Sequence, residues 1–212
     1  LAIMATGGIV ELSRGTDGRD LFFLPEAHGD FLAERAGHQN LGVYTREIPL
    51  LTLCAQEAVI ERFTTGEGMD YSHYPRFQAF MAELANAKHR RVLVQEFLPS
   101  VDQGGVVRRL TQGIRVCDLG CGEGVALLLM AEAFPRSRFT GIDLSEEALR
   151  TAREEARRRG LGNVEILALD AATTAERQEL GGRFDYITAF DSIHDQVQPL
   201  AALRGACHML AG

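Results

Sequence analysis

At 212 residues the chain is long enough for one large domain, or one domain with a smaller appendage. Its 46% apolar and 24% charged residues are those of an ordinary globular protein, and a net charge of −7 lacks the basic footprint that nucleic-acid binders carry. No stretch approaches the roughly 20 consecutive apolar residues of a membrane span, and "LAIMATGGIV" lacks the charged start of a secretion signal, which points to the cytoplasm.

The first 26 residues read as a helix end followed by a hairpin. "LAIMATGG" has the pattern of a last helical turn stopped by Gly7 and Gly8. The apolar runs "GGIVEL" and "LFFLP" flank "SRGTDGRD", whose Asp17-Gly18 pair is a strong hairpin signal. A helix end running into a β-hairpin resembles the tail of a winged-helix module, so residues 1–26 are expected to be a winged-helix remnant.

Residues 27–112 carry helical periodicity. "EIPLLTLCAQEAVIERF" has Pro49 near its start, where a missing N–H is harmless, and is apolar around most of its circumference. "PRFQAFMAELANAKHRRVLVQEFL" starts at Pro75 and repeats Phe77, Phe80, Met81 and Leu84 at helical spacing, a stripe that fits a core or a dimer interface. "PSVDQGG", Pro99 to Gly105, interrupts the run as a linker. Cys54, Cys117, Cys121 and Cys207 form no C-x-x-C pair and have no histidine at ligand spacing. They read as free thiols in a reducing compartment, with no metal expected.

From residue 113 onward the pattern changes. "GIRVCDL", "SRFTGIDL", "NVEILALD" and "RFDYITAF" are strand-like, and helical patterns at Val125–Phe134 and Glu146–Arg159 separate the first three. Such alternation predicts parallel strands joined by right-handed crossovers. Ser145 suits an N-cap, Glu146 and Glu147 suit the positive helix start, and Arg157 to Arg159 with Gly160 suit its end.

"VCDLGCGEG", Val116 to Gly124, places Gly120, Gly122 and Gly124 at the junction of a strand and a helix. In open α/β sheets ligands bind at that crest, and glycines let the chain turn tightly and a ligand lie against the backbone. Asp118, Asp143 and Asp170 close three successive strands at the same edge. A carboxylate after the second strand can accept from both hydroxyls of a ribose, and one after the third can accept from an adenine amino group. A nicotinamide-type fingerprint, G-x-G-x-x-G, has its third glycine one residue later, and its pyrophosphate would meet Asp118 and Glu123. A cationic ligand would not be opposed.

In order and spacing, "VCDLGCGEG", "FTGIDLS" and "LALDA" resemble the first three motifs of class I S-adenosylmethionine-dependent methyltransferases, over about Gly113 to Gly212. The resemblance implies an α/β fold: a Rossmann-like parallel sheet preceded by the winged-helix remnant and a helical dimerisation and cover segment. It implies S-adenosylmethionine as cofactor and S-adenosylhomocysteine as product. Gly120, Cys121, Gly122 and Gly124 would line the methionine and ribose parts, and Asp118 would hold the ammonium group. Asp143 would bind the ribose hydroxyls, Leu144 would touch the adenine ring, and Asp170 with Ala171 would meet the adenine edge. Phe190, where the fourth strand ends, completes that set.

Methyl transfer from a sulfonium is an in-line displacement that needs alignment and exclusion of water, with a base only if the acceptor loses a proton. His194 is the base candidate, since its ordinary pKa lies near neutrality, and Asp195 stands beside it on the acceptor side. Tyr71 and Tyr74, in "GMDYSHYPRF", are expected in a lid, Tyr71 toward the cofactor and Tyr74 toward the acceptor. The expected activity is methylation of a small molecule at oxygen or nitrogen by a homodimer. Alternatives are a non-catalytic, cofactor-binding regulatory protein and, more weakly, a winged-helix DNA binder. The resembling fold has seven strands against four here, so a fragment, or an edge covered by another chain, is expected.

Overall fold

In the computed structural model, which describes residues 1–33, 40–46, 49, 53–67, 73 and 77–212, the chain divides into two units, Leu1–Arg91 and Val92–Gly212. The first unit opens with helix α1 (Ala2–Thr6) and an antiparallel hairpin of β1 (Glu11–Arg14) and β2 (Asp20–Phe23). The hairpin turns where expected. Gly18 takes φ 79°, and Asp17 accepts from the Arg19 backbone N–H at 3.1 Å and side chain at 2.6 Å. The first strand begins later than "GGIVEL" suggests, because the N–H groups of Ile9 and Val10 bond back to the Met4 carbonyl at 2.9 and 3.3 Å. Donors committed to a helix end cannot also join a ladder.

Helices α2 (Glu26–Leu32), α3 (Gln56–Thr65) and α4 (Phe77–Val92) follow. Gly66 ends α3 in the left-handed region, its N–H donating to Arg62 O at 2.8 Å. Then come a π-helical turn Leu93–Phe97, a short α5 (Leu98–Ser100) and α6 (Gly105–Gln112). Asp102, Gln103 and Gly104 all carry positive φ between α5 and α6, which accounts for the break read at "PSVDQGG".

The second unit is built on four parallel strands, β3 (Arg115–Leu119), β4 (Arg138–Asp143), β5 (Val164–Ala168) and β6 (Tyr186–Thr188), in the order β5-β4-β3-β6. Helices α7 (Val125–Ala133) and α8 (Glu146–Arg158) are the first two crossovers, and α9 (Pro199–Met209) follows β6. Period-two alternation splits β3 between two cores. Val116 packs with Leu93, Leu98, Val106, Leu110, Leu127 and Phe139, whereas Cys117 and Leu119 pack with Ile142, Phe184, Ala202 and Met209. Residues 93–110 thus belong to the layer that covers one face of the sheet. The α/β, Rossmann-like expectation holds for this unit.

Polar fasteners fix the layers. Ser145 caps α8, accepting from the Ala148 N–H at 3.3 Å, as its sequence position implies. Buried Ser137 donates to Leu110 O at 2.7 Å and accepts from the Ile114 N–H at 3.0 Å, tying α6 to the sheet. Asp185 accepts from the Arg115 backbone at 2.8 Å and its guanidinium at 3.0 and 2.8 Å. The Arg115 hydrogen bonds hold that carboxyl down at about 2. A depressed folded-state pKa stabilises above the ordinary carboxylate range and is lost as pH falls through about 2. Asp185→Asn is therefore expected to cost about 1–2 kcal/mol at pH 7, read by urea unfolding. At the entry to β6, Phe184 N–H donates to Met209 O at 2.9 Å and Ala211 N–H to Phe184 O at 2.8 Å, aligning Leu210 parallel to it.

Candidate functional site

The β3–α7 turn lies where the strand order reverses, between β3 and β6, the position at which open α/β sheets bind ligands. Gly120, Gly122 and Gly124 all adopt left-handed φ, at 74°, 53° and 73°. Their reasons differ. A Cβ on Gly120 would collide with Cβ of Ser192, and one on Gly124 would lie 2.9 Å from Cβ of Ala152. Those two glycines serve packing against the β6–α9 loop and α8. Only Gly122 faces open space, with nothing within 4 Å of its would-be Cβ.

Two acids meet this loop. Asp143, at the end of β4, accepts from the Gly122 N–H through Oδ2 at 2.8 Å and from the Ser145 N–H through Oδ1 at 2.9 Å. It braces the loop, and each oxygen retains a lone pair for a further donor. Asp118 is only 2% exposed and accepts from Thr188 Oγ1 at 2.7 Å. No basic side chain pairs with it among the described residues. Burial first, with the neighbouring Asp143 charge adding and the Thr188 bond opposing, pushes its pKa up to about 7.

The other expected residues divide. Leu144 is 66% exposed next to Asp143, free to touch a flat ring. Asp170 caps a 3₁₀ turn, Ala171–Glu176, accepting from the Ala172 N–H at 2.8 Å, while Ala171 packs in the core with Leu180 and Ala202. Burial pushes the Cys117 and Cys121 thiols up, so both are neutral. Phe190 stacks edge-to-face on Phe97, with centroids 5.9 Å apart. His194 and Asp195 are paired at 3.4 Å, and both are largely exposed. Tyr71 and Tyr74 lie outside the described residues.

Two residues escaped the sequence reading. Thr188 stands opposite Asp118 in the β3–β6 register, and Ser192 Oγ donates to Leu119 O at 2.6 Å, clamping the β6–α9 loop onto the glycine turn. Their signal lies in "YITAFDS", but only the strand register assigns it. A separate cavity of about 440 Å³ opens near the other ends of the strands, lined by Arg115, Arg138, Asn163, Glu165 and Arg183. Its Arg115 and Arg183 are already neutralised by Asp185 and Glu165.

A doubly wound parallel sheet with a left-handed glycine turn at its switch point, and acids in or just beyond three of its strands, make this a Rossmann-like domain. The comparisons narrow the class. The family described as "Methyltransferase domain" matches residues 110–212. The ribosomal RNA large subunit methyltransferase G of Pseudomonas entomophila is 31% identical over 74% of this chain and 41% of its own length. The ubiquinone biosynthesis O-methyltransferase of Bordetella avium is 35% identical over 47% of this chain and 39% of its own. A solved S-adenosylmethionine-dependent methyltransferase from Aquifex aeolicus is 24% identical, covering 59% of this chain and 67% of that one, with TM-score 0.44. The chain spans less than half the length of the curated relatives it matches. The family match thus covers residues 110–212, which hold all four strands of the parallel sheet. A buried carboxylate with no counter-charge among the described residues, beside an open glycine, fits a cationic ligand.

Proposed function

We propose that the chain carries a methyltransferase that moves a methyl group from S-adenosylmethionine to a small-molecule acceptor at oxygen or nitrogen. The observation that carries this reading is Asp118, buried beneath the glycine turn with no basic partner among the described residues. It would hold the ammonium group, and Asp143 the ribose hydroxyls. Leu144 would lie on the adenine ring, with Asp170 and Ala171 at its edge and Phe190 closing the pocket. Gly120, Cys121, Gly122 and Gly124 would form the wall. When bound, S-adenosylmethionine supplies a methyl group on an already activated leaving group. The chain's residues then have to orient it and exclude water. His194 would take a proton from an acceptor that sheds one, with Asp195 holding its ring, and Tyr71 and Tyr74 would belong to a lid.

The N-terminal helix and hairpin we read as part of a winged-helix dimerisation region. Apolar side chains left on the surface of that unit, Ile3 at 85% and Phe63 at 88% exposure, support a homodimer. No helix among the described residues is long and apolar enough to cross a membrane, and free thiols suit the cytoplasm.

Titration calorimetry tests the cofactor half. Wild type should bind S-adenosylmethionine and S-adenosylhomocysteine, and Asp143→Ala should weaken both at least about tenfold, through lost charge-assisted bonds and a loosened loop. Equal affinity in the variant would overturn the assignment. A labelled-methyl screen against small-molecule extracts tests transfer. Binding without transfer would favour a second reading, a non-catalytic cofactor-binding protein, which the 70% exposure of the His194 side chain supports.

A further inference from the structure

Asp118 presents an unusual balance. It sits on β3, and four neighbouring segments place a polar or titratable group near it. Cys117 flanks it on the same strand, Cys121 comes from the glycine turn, Asp143 from β4 and Thr188 from β6. The two thiols are neutral, and Asp143 is repulsive. The Thr188 hydroxyl is the side chain that favours the ionised carboxylate among these groups. It is itself 5% exposed, it is register-paired with Asp118, and its alternative acceptor, Cys117 O, lies farther away at 3.4 Å against 2.7 Å. One hydroxyl proton can serve one strong acceptor, and a carboxylate outbids a carbonyl.

We infer that Thr188 is a positioning residue for cofactor binding, holding the Asp118 carboxylate in the orientation and charge state that a cationic ligand requires. This rests on the cofactor reading above. A proton and the ligand's ammonium compete for one carboxylate, so affinity should fall with acidity through the Asp118 titration near 7. A hydrogen bond to the ionised form lowers a carboxyl's pKa, and its removal raises it. Thr188 therefore sets how much of the binding-competent form exists at neutral pH.

The test compares wild type, Thr188→Val and Thr188→Ser in binding S-adenosylhomocysteine from about pH 6 to about pH 9. Ligand ionisation is common to all three and cancels. Valine matches threonine in shape, and a parallel set with Thr188→Ala guards against misfolding of one variant. The valine variant should lose roughly three- to tenfold affinity at pH 7, with its binding midpoint moved up by about one unit and convergence with wild type in alkali. Serine should restore the profile. A loss uniform across pH, or no loss, would overturn the inference. In the ligand-free chain, the Asp118 carboxyl resonance followed by NMR should shift its midpoint upward in Thr188→Val. An unshifted midpoint overturns the role of Thr188. A midpoint that does shift in Thr188→Val, while wild type binds neither cofactor nor product, overturns the cofactor reading instead.

Discussion

Asp118→Asn should abolish S-adenosylmethionine binding and, in the same molecule, stabilise the ligand-free fold at alkaline pH. In the folded chain the Asp118 carboxyl titrates near 7, against 3.8 for an unperturbed aspartate. A folded-state pKa above the unfolded one means that the fold prefers the protonated acid. That contribution is complete below about pH 4 and is lost as pH rises through 7. Above that point a charge is held away from water with no basic partner among the described residues, at a cost of up to about 4 kcal/mol by the usual conversion of 1.36 kcal/mol per unit. Asparagine removes the charge and keeps an oxygen for the Thr188 hydroxyl. Urea unfolding should show the variant more stable than wild type at pH 8, with the gap closing as pH falls and gone below about pH 4. Lower stability at pH 8 would mean that the carboxylate has a stabilising partner, and the cation-site reading would fall with it.

The three glycines should separate when each of two is replaced by alanine. At Gly120 the new Cβ meets Cβ of Ser192 and stands 2.9 Å from its Oγ, the atom that bonds Leu119 O. Left-handed strain of about 1–2 kcal/mol is joined by overpacking, for a total loss of roughly 2–4 kcal/mol. At Gly122 the same φ penalty applies but no atom stands in the way. Gly122→Ala should stay within about 1–2 kcal/mol of wild type in stability and lose its effect elsewhere, in cofactor affinity, because its methyl enters the open space over the turn. Thermal unfolding and calorimetry on the pair decide the matter. Equal destabilisation would show that Ser192 gives way, and unchanged affinity in Gly122→Ala would mean that no ligand lies against that residue.

Much of the second unit was legible because its signals act over a few residues. Ser145 caps α8 where a serine precedes two glutamates, and four apolar runs became four parallel strands. The acids proved harder to read. Asp143 ends β4 and Asp170 stands two residues beyond β5, yet Asp143 spends hydrogen-bonding capacity on the glycine turn and Asp170 on a 3₁₀ cap. A carboxylate at a strand end satisfies nearby backbone donors first, and only burial and partners show what is left for a ligand. Ala171 illustrates the limit, since its place in the motif says nothing of its packing beside Leu180 and Ala202.

By itself the sequence determined the class of this domain: alternating strands and helices, a side-chain-free turn after the first strand, and acids at matching ends. Those features follow from local conformational preference and period, which neighbours along the chain impose. Only the tertiary structure decided that Gly120 and Gly124 are needed for packing and Gly122 alone faces open space. It also decided that Leu93 to Leu110 cover the sheet, and that Thr188 answers Asp118 from 70 residues away. Such pairings depend on strand order and register, which no short window of residues encodes, and they set the charge on the carboxylate at the centre of the site.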